Sequence, residues 1–148
     1  MIAIANDHAG IEMKLLICHL LEEMKLSYKD FGTNSTSSCD YPKMAYLAAK
    51  SVSSGECELG IVICGTGIGV SLAANKVHGI RCALLSDCFS ARMAREHNNA
   101  NMLAIGARVV GPELAKEIVK AFINAEFEGG RHQRRIDMIS EIEQKQEI

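Results

Sequence analysis

An apolar run over residues 59–64 ends in Cys64 and is followed by glycine at three alternate positions, Gly65, Gly67 and Gly69. A continuous apolar run of this length is typical of a strand that is buried on both faces. Glycine allows positive φ angles, and because it has no Cβ the loop N–H groups can approach a ligand closely. The pattern therefore predicts a buried strand, a tight loop that can bind an anion, and then a helix.

Cys64 stands between the predicted strand and the glycine loop. The positive end of the following helix would favour its thiolate form, so Cys64 is a candidate base or nucleophile. The same spacing also fits a small buried strand residue that is followed by an ordinary tight turn. The residue pattern alone leaves both interpretations open.

Four other segments have the apolar or alternating pattern of a strand, at residues 2–5, 28–31, 80–85 and 102–105. Segments with helical periodicity separate these strands. Because strands and helices alternate, we predict an α/β fold, a three-layer α/β/α sandwich with a Rossmann-like, largely parallel five-stranded sheet. No repeat or linker divides the 148 residues, which predicts a single domain.

The carboxyl ends of parallel strands form the edge at which such sheets bind ligands. This rule places Asp7, His8, the loop after Cys64, and Arg108 along one edge, and we expect His97 at a neighbouring terminus. A thiol and imidazoles beside loop amides suit proton transfer next to a carbonyl, since the amides would bind the enediolate that forms. With arginines available for a phosphate, we predict a phosphorylated sugar as the substrate, and no cofactor.

Three arginines within five residues, Arg131, Arg134 and Arg135, open the predicted last helix. A solvated helix start would explain them. Positive charge near a helix N-terminus is disfavoured by the helix dipole, however, so an anionic partner explains them better.

Two nucleotide-binding motifs resemble the glycine loop without fitting it. A dinucleotide-binding fingerprint has an acidic ribose ligand about 20 residues on, where Asp87 stands, but Val70 occupies the place of its third glycine. The phosphate-binding loop of nucleotide hydrolases needs Lys and then Ser or Thr after its last glycine, whereas Val70 and Ser71 follow Gly69. The histidines and cysteines lack the short spacing of a structural metal site, so we predict no metal.

The composition argues against several classes of partner. A net charge of −2 does not favour nucleic acid or an anionic membrane, and no apolar run approaches the roughly 18 residues of a membrane span. The six cysteines include no CxxC pair, and the chain opens on apolar residues rather than an export signal. We therefore predict reduced thiols in a cytoplasmic protein.

Taken together, these motifs resemble the type B ribose-5-phosphate isomerases, a family that also includes allose-6-phosphate and galactose-6-phosphate isomerases. The likeness covers nearly the whole chain. The matching segments are residues 7–10 (DHAG), 40–42 (DYP), 64–69 (CGTGIG), 73–76 (AANK), 79–81 (GIR), 96–98 (EHN), 106–111 (GARVVG) and 128–132 (EGGRH).

The resemblance implies an aldose–ketose isomerase of the pentose phosphate pathway that interconverts ribose 5-phosphate and ribulose 5-phosphate through a cis-enediol. In this family Cys64 would be the base, and Thr66 would assist proton transfer at the sugar oxygens. His97, with Asp7 nearby, would open the furanose ring. Other family members replace the cysteine and use a glutamate where this chain has Val70, which places this chain in the cysteine branch.

The resemblance also assigns substrate contacts. The phosphate would be held by a histidine and arginines, the sugar would be lined by a tyrosine and an asparagine, and the loop would form the anion hole. The corresponding positions are His8, Tyr41, Gly65, Gly67, Ile68, Gly69, Asn98, Arg108, Arg131 and Arg135.

Family members form homodimers, in some cases tetramers, whose active sites are shared between subunits. The helix at about residues 131–146 is therefore expected to pack on the partner subunit. Two alternatives stay open: an isomerase of a six-carbon phosphosugar, such as allose 6-phosphate or galactose 6-phosphate, and a sugar-phosphate-binding or nucleotide-binding module without catalysis.

Overall fold

The computed structural model describes residues 1–146. Strands and helices alternate through most of the chain, and a short 3-10 helix, His8–Gly10, follows the first strand. The elements in chain order are β1 (Ile2–Asn6), α1 (Ile11–Glu23), β2 (Tyr28–Asp30), α2 (Tyr41–Ser53), β3 (Leu59–Cys64), α3 (Ile68–Ala74), β4 (Cys82–Leu84), α4 (Cys88–Glu96), β5 (Met102–Gly106), α5 (Pro112–Asn124) and α6 (Arg131–Lys145).

The five strands form one sheet in the order β2-β1-β3-β5-β4, and every pairing is parallel. This confirms the predicted α/β class. After β2 the chain returns past β1 to form β3, so the strand order reverses between β1 and β3. In open parallel sheets such a reversal opens a crevice at the carboxyl ends of the two strands. The segments that follow β1 and β3 therefore meet at the position where this class of fold binds ligands.

The three central strands are buried on both faces because helices cover both sides of the sheet. On one face, isoleucine and leucine side chains of the strands pack against α1, α4 and α5. On the other face, small side chains such as Ala3, Ala5 and Ala104 pack against α2 and α3, and Cys64 belongs to this side. The alternation of large and small residues along β1 thus follows the two faces of the sheet.

The fourth strand is shorter and more exposed than the sequence predicts. The apolar pattern indicates a buried strand over residues 80–85, whereas β4 covers only Cys82–Leu84 and the Leu84 side chain is 46% exposed. The reason is position: β4 is an edge strand that pairs only with β5. Apolar residues on an edge strand can face outward, which the pattern by itself does not reveal.

Lys14 ties the first helix to the loop after β2. Its side chain is 1% exposed, and Nζ donates to Asp30 Oδ2 at 2.7 Å, Asn34 Oδ1 at 2.7 Å and the Thr33 carbonyl at 3.1 Å. A buried ammonium needs such partners, because an unpaired charge away from water is costly. The polar segment after β2, which by composition is a surface loop, is thus anchored at its start.

All six cysteines are free thiols in this structure. Within residues 1–146, none of the helices is both long enough and apolar enough to cross a membrane.

Candidate active site

The loop after β3 is held against the carboxyl end of β5. The Ala107 N–H donates to the Cys64 carbonyl at 2.9 Å, and the Arg108 N–H donates to the Gly65 carbonyl at 2.9 Å. These bonds continue the parallel pairing in which Cys64 stands opposite Gly106. The loop is therefore seated on the backbone of the neighbouring strand.

Gly67 is the position in this loop where only glycine fits. Its φ is +77°, and a Cβ there would lie 2.5 Å from Leu84 Cδ1 and 2.9 Å from the Ile105 carbonyl carbon. A side chain would face both a left-handed backbone conformation and a backbone atom that cannot move aside. Gly67 also forms the N-cap position of α3, so this turn sets where the helix begins.

The Cys64 thiol lies beneath the loop, with the residue only 5% exposed. The Gly67 N–H donates to Cys64 Sγ at 3.1 Å. The sulfur is thus held against a loop amide, directly before the start of α3. The geometry thus supports the interpretation of Cys64 as a base more than that of a passive strand residue.

Thr66 is exposed at the top of the same loop, where its Oγ1 accepts a hydrogen bond from the Ile68 N–H at 3.3 Å. The first N–H groups of an α-helix have no partner inside the helix. The start of α3, at Gly69, therefore offers a backbone amide near the thiol that can bind a negatively charged oxygen.

Asp7 and His8 lie at the same edge, directly after β1. The Asp7 N–H donates to the Ile63 carbonyl at 3.0 Å, which fixes Asp7 beside the end of β3. The Asp7 carboxylate is buried and accepts the Ala9 N–H at 2.9 Å. His8 Nδ1 accepts the Cys39 N–H at 3.4 Å, and in the neutral ring this leaves Nε2 as the N–H donor.

Two larger side chains flank the glycine loop. A Cβ on Gly69 would lie 2.6 Å from Tyr41 Cζ, so the Tyr41 ring covers that glycine closely. A Cβ on Gly65 would lie 3.4 Å from Arg108 Nη1, so the exposed guanidinium stands beside the start of the loop. The predicted site residues that lie at this edge are together called the carboxyl-edge cluster: Asp7, His8, Tyr41, Cys64 to Gly69, and Arg108.

The expectation that His97 lies at a terminus near Cys64 is wrong within one chain. Helix α4 starts after β4, at the carboxyl edge, and runs back so that His97 precedes β5 at the amino edge. Cys64 pairs with Gly106 at the far end of β5, four residues beyond Met102, which is about 13 Å at ~3.3 Å per residue. His97 and Asn98 are therefore separated from Cys64 by at least about the length of a strand.

The predicted arginines of α6 lie at that amino edge as well. The Glu128 N–H donates to the Glu96 carbonyl at 3.0 Å, which ties the segment before α6 to the end of α4. Arg131 and Arg135 are exposed one helical turn apart. We name the amino-edge cluster as these residues together: His97, Asn98, Glu128, Arg131, His132 and Arg135.

His132 is a residue of this cluster to which the sequence analysis assigned no role. Its ring stacks on that of His97, with 4.2 Å between centroids and 7° between planes. Burial lowers the pKa of His132, and the nearby His97 acts in the same direction. His97 and the 128–132 segment are some 30 residues apart, so no local motif spacing could have joined them.

Comparison with known proteins gives a consistent family. Residues 2–139 match the family model described as Ribose/Galactose Isomerase. The chain is 49% identical over 144 residues to ribose-5-phosphate isomerase B of Escherichia coli, with 97% of each chain covered. It is 44% identical over 146 residues to a D-erythrulose-4-phosphate isomerase of Pectobacterium atrosepticum, covering 98% of this chain and 96% of that one.

Solved structures agree in fold. Ribose-5-phosphate isomerase B of Clostridium thermocellum matches with a TM-score of 0.96 and 51% identity, over 98% of both chains. The Mycoplasma genitalium enzyme with bound ribulose 5-phosphate matches with a TM-score of 0.93 and 44% identity, over 97% of this chain and 96% of that one. These similarities confirm the α/β fold and the family that the motifs predict.

We expect Gly67→Ala to lower the free energy of unfolding by more than about 2 kcal/mol, because a left-handed φ and a backbone contact act together. Gly79 has a φ of +82° with nothing within 4 Å, so Gly79→Ala should show the conformational cost alone, about 1 kcal/mol. Gly65→Ala, with ordinary side-chain contacts, should cost less than about 0.5 kcal/mol. Urea denaturation at one protein concentration measures all three, and equal losses for Gly67→Ala and Gly65→Ala would contradict this account of the loop.

Proposed function

Because the chain belongs to the ribose/galactose isomerase family, we propose that it is an aldose–ketose isomerase that interconverts ribose 5-phosphate and ribulose 5-phosphate. The observation that carries the proposal is the Cys64 thiol, which lies under the glycine loop and accepts the Gly67 N–H. The relatives named ribose-5-phosphate isomerase B, and the related structure with bound ribulose 5-phosphate, support the choice of substrate. The reaction moves hydrogen within one sugar and needs no cofactor.

Cys64 acts as the base in this proposal. Its thiolate removes the proton from C2 of the open-chain aldose, and the electron pair moves to the C1 carbonyl oxygen to form a cis-enediolate. The amides at the start of α3 stabilise the negative oxygen. Thr66 moves a proton between O1 and O2, and Cys64 returns its proton to C1 to give the ketose.

The remaining polar residues open the ring and hold the substrate. His97, with Asp7, transfers protons between the ring oxygen and the C1 hydroxyl so that the furanose opens. Tyr41 and Asn98 line the sugar. The phosphate is bound by His8 and by arginines, for which the candidates are Arg108, Arg131 and Arg135.

These roles require two copies of the chain, because the carboxyl-edge and amino-edge clusters are at opposite edges of one sheet. In a two-fold dimer each copy can present its amino edge to the carboxyl edge of the other, which completes two sites at once. Apolar side chains beside the loop support a buried contact there, since Ile68, Leu72 and Leu84 are all about half exposed or more. In this assembly α6 carries its arginines to the partner's site.

The second candidate function is isomerisation of a sugar phosphate of a different size. The relative named D-erythrulose-4-phosphate isomerase, at 44% identity, indicates that close relatives differ in the sugar phosphate they use. A six-carbon phosphosugar stays the main alternative substrate, and a binding module without catalysis is the alternative to an enzyme.

The free thiols support the proposed cytoplasmic location.

Replacing Cys64 by Ala should lower kcat on ribose 5-phosphate by at least about 10³-fold, since the proton-abstracting base is lost. The dissociation constant of ribose 5-phosphate, measured by calorimetry on the variant, should change by less than about threefold. Cys88→Ser, at a partly buried thiol that packs on the other face of the sheet from Cys64, serves as the control and should keep parental kcat. Parental turnover by the Cys64→Ala protein would refute the thiol base.

We expect kcat/KM on ribose 5-phosphate to exceed that on allose 6-phosphate, galactose 6-phosphate and D-erythrulose 4-phosphate by at least about tenfold. The site fits one chain length when the reacting carbons, at Cys64, and the phosphate, at His8 and the arginines, are both held in fixed positions. Coupled assays of the four sugars on the same preparation measure the ratio. A higher kcat/KM for another sugar would replace ribose 5-phosphate as the proposed substrate.

Mixing two inactive variants tests the shared site. Cys64→Ala and His97→Asn proteins, each inactive alone, should regain about a quarter of parental activity after subunit exchange, because half of the dimers become mixed and carry one intact site of two. A mixture of Cys64→Ala with Thr66→Ala, both from the same cluster, is the matched control and should stay inactive. If the first mixture also stays inactive while mass spectrometry shows mixed dimers, His97 does not act on the partner's site.

A further inference from the structure

The turn between α4 and β5 carries two residues of the amino-edge cluster, His97 and Asn98. The next residue, Asn99, has a left-handed φ of +43°. Asparagine tolerates this region better than most residues, but the conformation is still less favoured than a right-handed one. Such a conformation persists only where surrounding contacts fix it.

Arg81 supplies contacts of this kind from the segment that precedes β4. Its Nε donates to the Asn98 carbonyl at 3.0 Å and to the Asn99 carbonyl at 3.1 Å. Its Nη2 donates to the Asn99 carbonyl at 2.9 Å. Hydrogen bonds from a charged donor are stronger than neutral ones. The two carbonyl groups that follow His97 are thus bound by one planar guanidinium.

The backbone of Arg81 is itself anchored to the start of β5. Its N–H donates to Asn101 Oδ1 at 2.8 Å, and its carbonyl accepts the Asn101 N–H at 3.1 Å. Asn101 Nδ2 donates in turn to the Gly79 carbonyl at 2.8 Å. The Arg81 side chain is half-buried, and burial lowers the pKa of its guanidinium. Arg81 is therefore a fixed support rather than a freely moving surface arginine.

A second arginine, Arg95, binds the other side of the turn. Its Nη1 donates to the Ala100 carbonyl at 2.7 Å and to Asn99 Oδ1 at 3.1 Å. Arg95 belongs to α4, so it holds the turn from within the helix that the turn ends. Arg81 instead ties the turn to a different segment of the chain, which fixes the end of α4 relative to the sheet.

We propose that Arg81 is a positioning residue, which binds the carbonyls after His97 and so holds the imidazole where it can open the sugar ring in the partner's site. This inference rests on the proposed function. The Arg81 donors contact the protein backbone, so Arg81 acts through the turn and not on the reacting atoms.

The choice of sugar separates ring opening from proton transfer between carbons. Ribose 5-phosphate closes to a furanose through its O4 hydroxyl. D-Erythrulose 4-phosphate carries its phosphate on O4 and has no fifth carbon, so its carbonyl cannot close a five-membered ring. Isomerisation of this tetrose needs no ring opening, and a displaced His97 should therefore matter little to it.

Hydrogen exchange measures the hold on the turn directly. The N–H groups of His97, Asn99 and Ala100 donate to carbonyls of α4. In Arg81→Met these amides should exchange at least about tenfold faster than in the parent, because the turn opens more often. Arg92→Met, which removes an exposed arginine of the same helix, should leave their exchange unchanged. Parental exchange in Arg81→Met would overturn the proposal.

The kinetic test compares kcat on the two sugars. In Arg81→Met, kcat on ribose 5-phosphate should fall at least about tenfold, which is part of the roughly 10²- to 10⁴-fold that an acid–base group contributes. On D-erythrulose 4-phosphate kcat should change by less than about threefold. The control Arg92→Met should keep both values. An equal loss on the two sugars would indicate general damage and would contradict a role through His97.

Arg81→Lys gives a second variant in case Arg81→Met does not fold. It keeps a charged donor but lacks the planar fork, so kcat on ribose 5-phosphate should still fall at least about threefold. The tetrose kcat should stay parental. A parental kcat on both sugars, or the same loss on both, would count against the proposal.

Mixing of subunits shows which cluster Arg81 serves. Arg81→Met mixed with Cys64→Ala should reach about a quarter of parental activity, because each mixed dimer carries one intact site. Arg81→Met mixed with His97→Asn should show no gain, since both changes affect the amino edge. The opposite pattern would overturn the proposal. A parent without activity on ribose 5-phosphate would contradict the proposed function, whereas the exchange measurement would still decide whether Arg81 holds the turn.

Discussion

The close backbone contact between the loop after β3 and the end of β5 is the constraint on which the candidate site depends. Gly67 comes within reach of the Ile105 backbone, and a Cβ on Gly106 would lie 2.6 Å from the Thr66 carbonyl carbon. Two glycines facing each other let the chains approach this far. The approach directs the Gly67 N–H at Cys64 Sγ and places the start of α3 above the thiol. Without it, the strand would end in an ordinary turn.

The same topology explains why the site is incomplete in one chain. In a parallel sheet each helix runs back against the strands, so residues at the end of a helix emerge at the amino edge. Cys64 follows a strand and His97 follows a helix, which places them at opposite edges. The proposed dimer resolves this separation, because a second copy can bring its amino-edge cluster to the first copy's thiol. His97 at that edge then takes part in the proposed reaction.

Much of the fold was predictable because the strands are short and buried. The runs at β1, β3 and β5 are apolar throughout, since helices cover both faces, and glycine, proline and aspartate mark the ends of several helices. The prediction failed where position in the sheet matters: β4 is shorter and more exposed because it lies at an edge. The anchoring of the loop after β2 by Lys14 also had no sequence signal, since a buried lysine in a helix has the same pattern as an exposed one.

The sequence of neighbouring residues determined the class of fold, the glycine loop and the identity of the candidate base, because each of these is a local pattern. The motifs also determined the family. Only the tertiary structure decided which candidates share an edge, that His97 is remote from Cys64, and that His132 stacks on His97 beside Glu128. These facts depend on the direction in which α4 returns across the sheet and on how the segment before α6 docks on it. Contacts between residues some 30 positions apart are set by packing, and no spacing along the chain encodes them.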